Sequence, residues 1–91
     1  MWHVYIVRCS DNSFYTGVTT DLENRIKRHN SSSGAQYTKI KKPVTLIYWE
    51  DFVDKNQALI REIQIKKLSK INKEKLINCW AKQVSLAPNE T

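Results

Sequence analysis

The sequence has no apolar run approaching the roughly 20 residues that a membrane span needs, so no segment is expected to cross a bilayer. Metal-binding residue types are scarce. Cys9, Cys79, His3 and His29 are the only cysteines and histidines, and they fall at no zinc-ligand spacing and form no redox Cys-x-x-Cys pair. The expected state is two reduced, semi-buried thiols in a cytoplasmic protein. The opening MWHVYIVRCSD is a short alternating run cut off by charge, which does not suit a secretory leader. There is no internal repeat, and 91 residues leave room for one core and no second. Glycine is limited to Gly17 and Gly34, and proline to Pro43 and Pro88.

What is present is basic. Lysine and arginine number 15 against nine acidic residues, a formal net charge of +6, which favours an anionic partner such as nucleic acid. Hydrophobic residues at 41% and charged ones at 26% are ordinary for a globular chain.

Along the chain, Trp2 to Cys9 is β-branched and aromatic and apolar on both alternating faces, as an interior strand is. The turn formers Ser10-Asp11-Asn12-Ser13 lead to a second strand, Phe14 to Val18, which should pair with the first as a hairpin. Gly17 inside that strand marks a bulge or the close approach of another group. Thr20 and Glu23 read as a capping box opening a helix from about Asp21 to Asn30. Ala35 to Thr38 suits a helical turn, and the basic run Lys39 to Lys42 stops at Pro43. Val44 to Phe52 is a third strand. Asp54 caps a second helix, with a main apolar stripe of Ile60, Ile63, Leu68 and Ile71. Its other side sets Ala58, Leu59 and Ile65 around Glu62, so both sides should be covered. Asn72 is expected to cap a last helix bearing Leu76, Ile77 and Trp80. The sum is an α+β fold, a three-stranded, mainly antiparallel sheet covered by helices in the order β-β-α-β-α-α. Residues 1–80 form the domain, and 81–91 read as a loosely ordered tail.

Several groupings could carry chemistry, and each has a plainer reading. Arg25 and His29 lie one helical turn apart. An arginine fork suits two phosphate oxygens and an imidazole moves protons near neutrality, yet Lys27 and Arg28 nearby also fit a solvated face. Glu62 could hold a hard cation such as magnesium, which needs only one or two carboxylates, or it could pair with Lys66 four residues on. Tyr5 and Tyr15 sit on paired strands that can bring both hydroxyls to one edge, or they are core aromatics. Lys39, Lys41 and Lys42, and Lys66, Lys67 and Lys70 with their neighbours, form two basic clusters across which a phosphate backbone could lie. Trp2, Trp49 and Trp80 read as core.

Together these residues resemble the GIY-YIG nuclease superfamily. The first signature triplet aligns with His3-Val4-Tyr5 and the second with Tyr15-Thr16-Gly17, ten residues on. Arg25 follows the second tyrosine by ten and His29 by four more, and Glu62 in IREIQIKKL matches the family's metal-binding glutamate. The resemblance runs from about Met1 to Ile77. It is nearest to the small single-domain bacterial members, which share a DNSxYxG hairpin, a GAxYT segment (here Gly34 to Thr38) and a KKL run. The departures are His3 for the first triplet's glycine and Thr16 for the second's isoleucine. Asn72 and Asn78 are both candidates for the family's later asparagine.

The resemblance implies an endonuclease that hydrolyses phosphodiester bonds in DNA, with RNA an open alternative, in repair or recombination. Tyr5, Tyr15, Arg25 and His29 would be catalytic, Tyr5 and His29 sharing the roles of base and support in an order left open. Glu62 would hold one divalent metal ion, Mg2+ or Mn2+. Gly17, Lys39, Lys41, Lys42, Lys66, Lys67 and Lys70 are the candidate nucleic-acid contacts. Larger relatives carry a DNA-binding domain or a partner subunit, so a partner protein supplying recognition is a further expectation. The competing reading is a DNA-binding or protein-interaction module of the same fold with little or no catalysis.

Overall fold

The computed structural model describes residues 1–31 and 41–90, and the side chains of these as far as residue 83. Six elements follow one another: β1 (Trp2–Arg8), β2 (Phe14–Thr19), α1 (Leu22–Asn30), β3 (Thr45–Phe52), α2 (Lys55–Lys66) and α3 (Lys70–Glu90). The strands form one open antiparallel sheet in the order β2-β1-β3, giving the α+β architecture that the sequence implies.

β1 takes the middle because it is apolar on both faces. Its alternate side chains feed two clusters. Val4 and Ile6 join Tyr48, Ala58, Ile65 and Ile77 beneath α2 and α3, whereas Tyr5, Val7 and Cys9 join Val44 on the face where Leu22 and Ile26 of α1 pack. A register shift in the β1–β3 pairing, between Ile6 and Val7, lets Ile47 and Tyr48 both serve the first cluster. The three tryptophans pack at the margins of these clusters, half-buried. The β1–β2 turn is closed by Cys9 N–H on Ser13 O at 2.8 Å, with Asn12 in the left-handed region at φ 71°.

Three helix boundaries or faces differ from expectation. α1 is capped by Asp21 and not Thr20: the Asp21 carboxylate accepts from Asn24 N–H at 3.2 Å, and Thr19 Oγ1 accepts from Asp21 N–H at 3.1 Å. α3 is capped by Ser69, whose hydroxyl accepts from Asn72 N–H at 3.2 Å, so Asn72 already lies in the first turn. α2 keeps its Asp54 cap but is rotated about its axis. Ala58 and Ile65 are fully buried, while Ile60, Ile63 and Ile71 of the supposed main stripe are more than half exposed. Two contacts explain the choice. Ala58 lets the helix backbone come close to the sheet, and Arg61, on the same side, pairs with Glu50 of β3 at 3.0 Å, where Tyr48 also donates to Glu50. Glu62 therefore faces inward with Ala58 and Ile65.

α3 is helical to Glu90, across most of the stretch that its composition marks as a tail. Cys79 is exposed where the sequence suggests semi-burial, Cys9 is buried, and both are free thiols. No described helix is long and apolar enough to cross a membrane.

Candidate active site

Tyr5 and Gly17 face each other across β1 and β2. A Cβ on Gly17 would lie 2.6 Å from the Tyr5 hydroxyl oxygen and 2.7 Å from Cζ. The group that approaches Gly17 is thus the phenol ring itself, which lies over β2 where that strand has no side chain. The Tyr5 hydroxyl meets Nε2 of His29 at 3.0 Å. Tyr15, two residues before Gly17 and so on the same face, closes the group: its ring is 6.4 Å from Tyr5 and 5.3 Å from His29, edge-on to the imidazole. Tyr5 is fully buried and Tyr15 is 37% exposed, so solvent reaches the cluster from the Tyr15 side.

Arg25 lies one turn before His29 on α1 and is half-buried. Burial pushes the Tyr5 hydroxyl up to about 12; the Arg25 guanidinium beside it works in the opposite sense, while Tyr15 and the Glu62 carboxylate add to the rise. Burial, and then the charges of Arg25 and Arg28, hold His29 below the ordinary imidazole value of 6.5. With Tyr5 protonated and His29 neutral, the hydroxyl donates and Nε2 accepts. A water held against the Tyr5 oxygen could pass its proton to that oxygen while Tyr5 passes its own to His29.

Glu62 reaches the same cluster electrostatically from α2. Its side chain is 17% exposed, and one carboxylate oxygen pairs with Lys66 Nζ at 3.1 Å, so the ion pair anticipated from the spacing does form. Among the described residues no three of His, Cys, Asp and Glu come together. That donor set does not suit zinc. It does suit a magnesium or manganese ion that takes one carboxylate from Glu62 and its other ligands from water and phosphate oxygens.

The remaining candidates scatter. Lys39, with the GAxYT segment and the proposed turn at 35–38, lies outside the described residues. Lys41 and Lys42 are exposed ahead of β3, and Lys42 Nζ donates to Ser31 O at 3.4 Å. Lys67 is exposed at the end of α2, and Lys70 Nζ donates to Asn12 O at 2.9 Å and lies over the Phe14 ring. Asn72 and Asn78 are exposed on α3. Of the two departures from the signature, His3 is satisfied by its cross-strand neighbour Asp51 at 2.6 Å, and Thr16 is buried in the hairpin.

Asn30 is legible in the sequence only as a helix end. Its side chain donates to Val44 O at 3.2 Å and accepts from Val44 N–H at 2.6 Å, copying a strand's pairing and clamping the end of α1 to the start of β3. No α1 residue is fully buried, so this clamp, the Leu22 and Ile26 contacts and the Tyr5–His29 bond orient the helix that carries Arg25 and His29. An asparagine fourteen residues from its partner leaves no local signal in a sequence.

Comparison with known proteins supports the resemblance. A UPF0213 protein of Staphylococcus haemolyticus is 52% identical over 75 residues, covering 82% of this chain and 92% of its own. One from Halobacterium salinarum is 49% identical over 76 residues, covering 84% and 99%. The solution NMR structure of the UPF0213 protein BH0048 from Bacillus halodurans is 42% identical, covers 87% of this chain and 85% of its own, and superposes with a TM-score of 0.57. The GIY-YIG catalytic domain matches residues 1–75, the span that holds both tyrosines, Arg25, His29 and Glu62, and the chain belongs to that family.

Proposed function

We propose that the protein is a divalent-metal-dependent endonuclease that hydrolyses phosphodiester bonds in DNA, in repair or recombination. The observation that carries this reading is the 3.0 Å contact between the Tyr5 hydroxyl and His29 Nε2, with the charges of Arg25 and, more weakly, Glu62 also acting on that hydroxyl. Titratable groups that perturb one another in this way cluster at functional sites.

In this mechanism water attacks the phosphorus in line. Its proton goes to the Tyr5 oxygen as Tyr5 delivers its own to neutral His29, so His29 is the base and Tyr5 the group that touches water. Arg25 lies on the phosphate and neutralises its developing charge. Tyr15, at the open side of the cluster, orients a phosphate oxygen. Glu62 would hold one magnesium or manganese ion, whose charge would stabilise the leaving oxygen.

One observation favours the second reading, a nucleic-acid-binding or protein-interaction module with little catalysis. Glu62 is already neutralised by Lys66. The test is cleavage of labelled duplex, single-strand, flap, fork and four-way-junction DNA with Mg2+ or Mn2+, by the native protein and by Glu62→Ala and Arg25→Ala. Cutting that depends on metal, disappears in Glu62→Ala and falls about 10²–10³-fold in Arg25→Ala is the expected result. Binding without cutting by any form on any substrate would leave the module.

A further inference from the structure

A shallow groove runs along the outside of α1, from Thr19 at the end of β2 to Ser31 beyond the helix. We propose that this groove seats the sugar-phosphate backbone of one nucleic-acid strand, with Arg28, flanked by Lys27, binding the phosphate next to the one held by Arg25. The assignment of the neighbouring phosphate to the reaction rests on the nuclease reading; the groove as a strand-binding site does not.

The groove is cationic and its charges are available. Arg25, Lys27 and Arg28 all line it. Neither Lys27 nor Arg28 forms an ion pair among the described residues. The acid in its wall, Asp21, is engaged in the helix cap, one carboxylate oxygen taking Asn24 N–H at 3.2 Å and the other Asn24 Nδ2 at 2.7 Å. The lysines of the basic final third are less free. Lys66 is bound to Glu62 at 3.1 Å, and Lys70 to Asn12 O at 2.9 Å. The charge clusters that look strongest in the sequence are therefore partly consumed by the fold, whereas α1 sets open cations beside the candidate active site.

The groove also has direction. Arg25 belongs both to its wall and to the surroundings of the Tyr5 hydroxyl, so its inner end is the candidate active site. At its outer end the Lys42 ammonium rests on Ser31 O at 3.4 Å, adding a cation there. Side chains three residues apart on one helix stand about 5–6 Å apart at their Cβ atoms. With flexible arginine side chains, Arg25 and Arg28 can meet successive phosphates of one strand, which a planar fork binds through two oxygens.

The test is the salt dependence of binding, read by fluorescence anisotropy of a labelled 12-nucleotide single strand, on the whole chain and in EDTA so that no cleavage step enters. Each phosphate deprived of its cation should lower the slope of log K against log salt by about 0.7 for single strands. Arg28→Gln is expected to reduce the slope by about that much, Arg28→Lys to keep it, and Lys82→Gln, which removes the same charge from exposed α3 surface, to leave it unchanged. A slope reduction equal in Arg28→Gln and Lys82→Gln, or found in Lys67→Gln or Lys70→Gln with Arg28→Gln unaffected, would overturn the groove. So would a native protein that does not bind the strand. A native protein that cuts DNA while Arg28→Gln keeps its slope sinks this inference and spares the nuclease. One that binds through Arg28 without ever cutting does the reverse.

Discussion

A buried phenol hydroxyl is costly unless it finds a partner, and Tyr5 finds one because Gly17 leaves room for its ring. The pair is a lock between two strands, with Gly17 required for space and not for backbone freedom. Gly17→Ala should therefore push the Tyr5 ring off β2. The expected cost is about 1–3 kcal/mol of stability, as for other overpacked cores, seen as a lower urea midpoint. Breaking the Tyr5–His29 hydrogen bond would appear as shifted His29 ring resonances in NMR. An unchanged midpoint would mean that the ring has another place to go.

His29 carries the pH dependence at the same scale. Its imidazole ordinarily titrates at 6.5, and here burial and two arginines hold it lower. A base must be neutral, so cleavage should rise with pH through that lowered value and be level above about 6.5. The sign for stability is the same. The unfolded chain binds the proton more readily than the folded one, so this contribution is present above about 6.5 and is lost as pH falls through the folded value. Removing the Arg28 charge should move both transitions toward 6.5. A pH–rate profile and an NMR titration of His29 measure them independently, and a midpoint above 6.5 would contradict the arrangement described.

Among the elements, α2 shows how a helix with two apolar sides chooses one. The periodic stripe through Ile60 and Ile63 is the stronger signal in the sequence, yet the sheet takes the side of Ala58 and Ile65. Close approach at an alanine and the Arg61–Glu50 pair outweigh the count of large side chains, and Glu62 comes inward as a result. The two isoleucines should separate cleanly. Ile65→Ala should cost about 2–5 kcal/mol, as a truncation in a filled core does. Ile63→Ala should change stability by less than about 1 kcal/mol, because its side chain is already half in water. Equal costs would mean that α2 is packed the other way round, with Glu62 turned out of the site. α1 makes a parallel point. Its register is readable to within a residue, but the pattern points to Thr20 as the cap where Asp21 holds it, since two adjacent capping side chains give one pattern from two positions.

At the scale of the molecule, the sequence by itself determined the order of elements, the central place of β1, the β1–β2 hairpin, and the family. Those are matters of period, turn chemistry and the spacing of a few residues, and each is written in a short window of chain. Tertiary structure decided which face of α2 is buried, that Asn30 clamps α1 to β3, and which cations the described residues leave open. Lys70 reads as open surface charge until the fold sets the Asn12 carbonyl beside it. Lys27 and Arg28 read as an ordinary solvated face until the fold joins them to a groove that starts at Arg25. The physical reason is common to all three. Hydrophobic periodicity is a local property of the chain, whereas the partner of a charge or an amide is set by what other elements bring within about 3 Å of it, often from dozens of residues away.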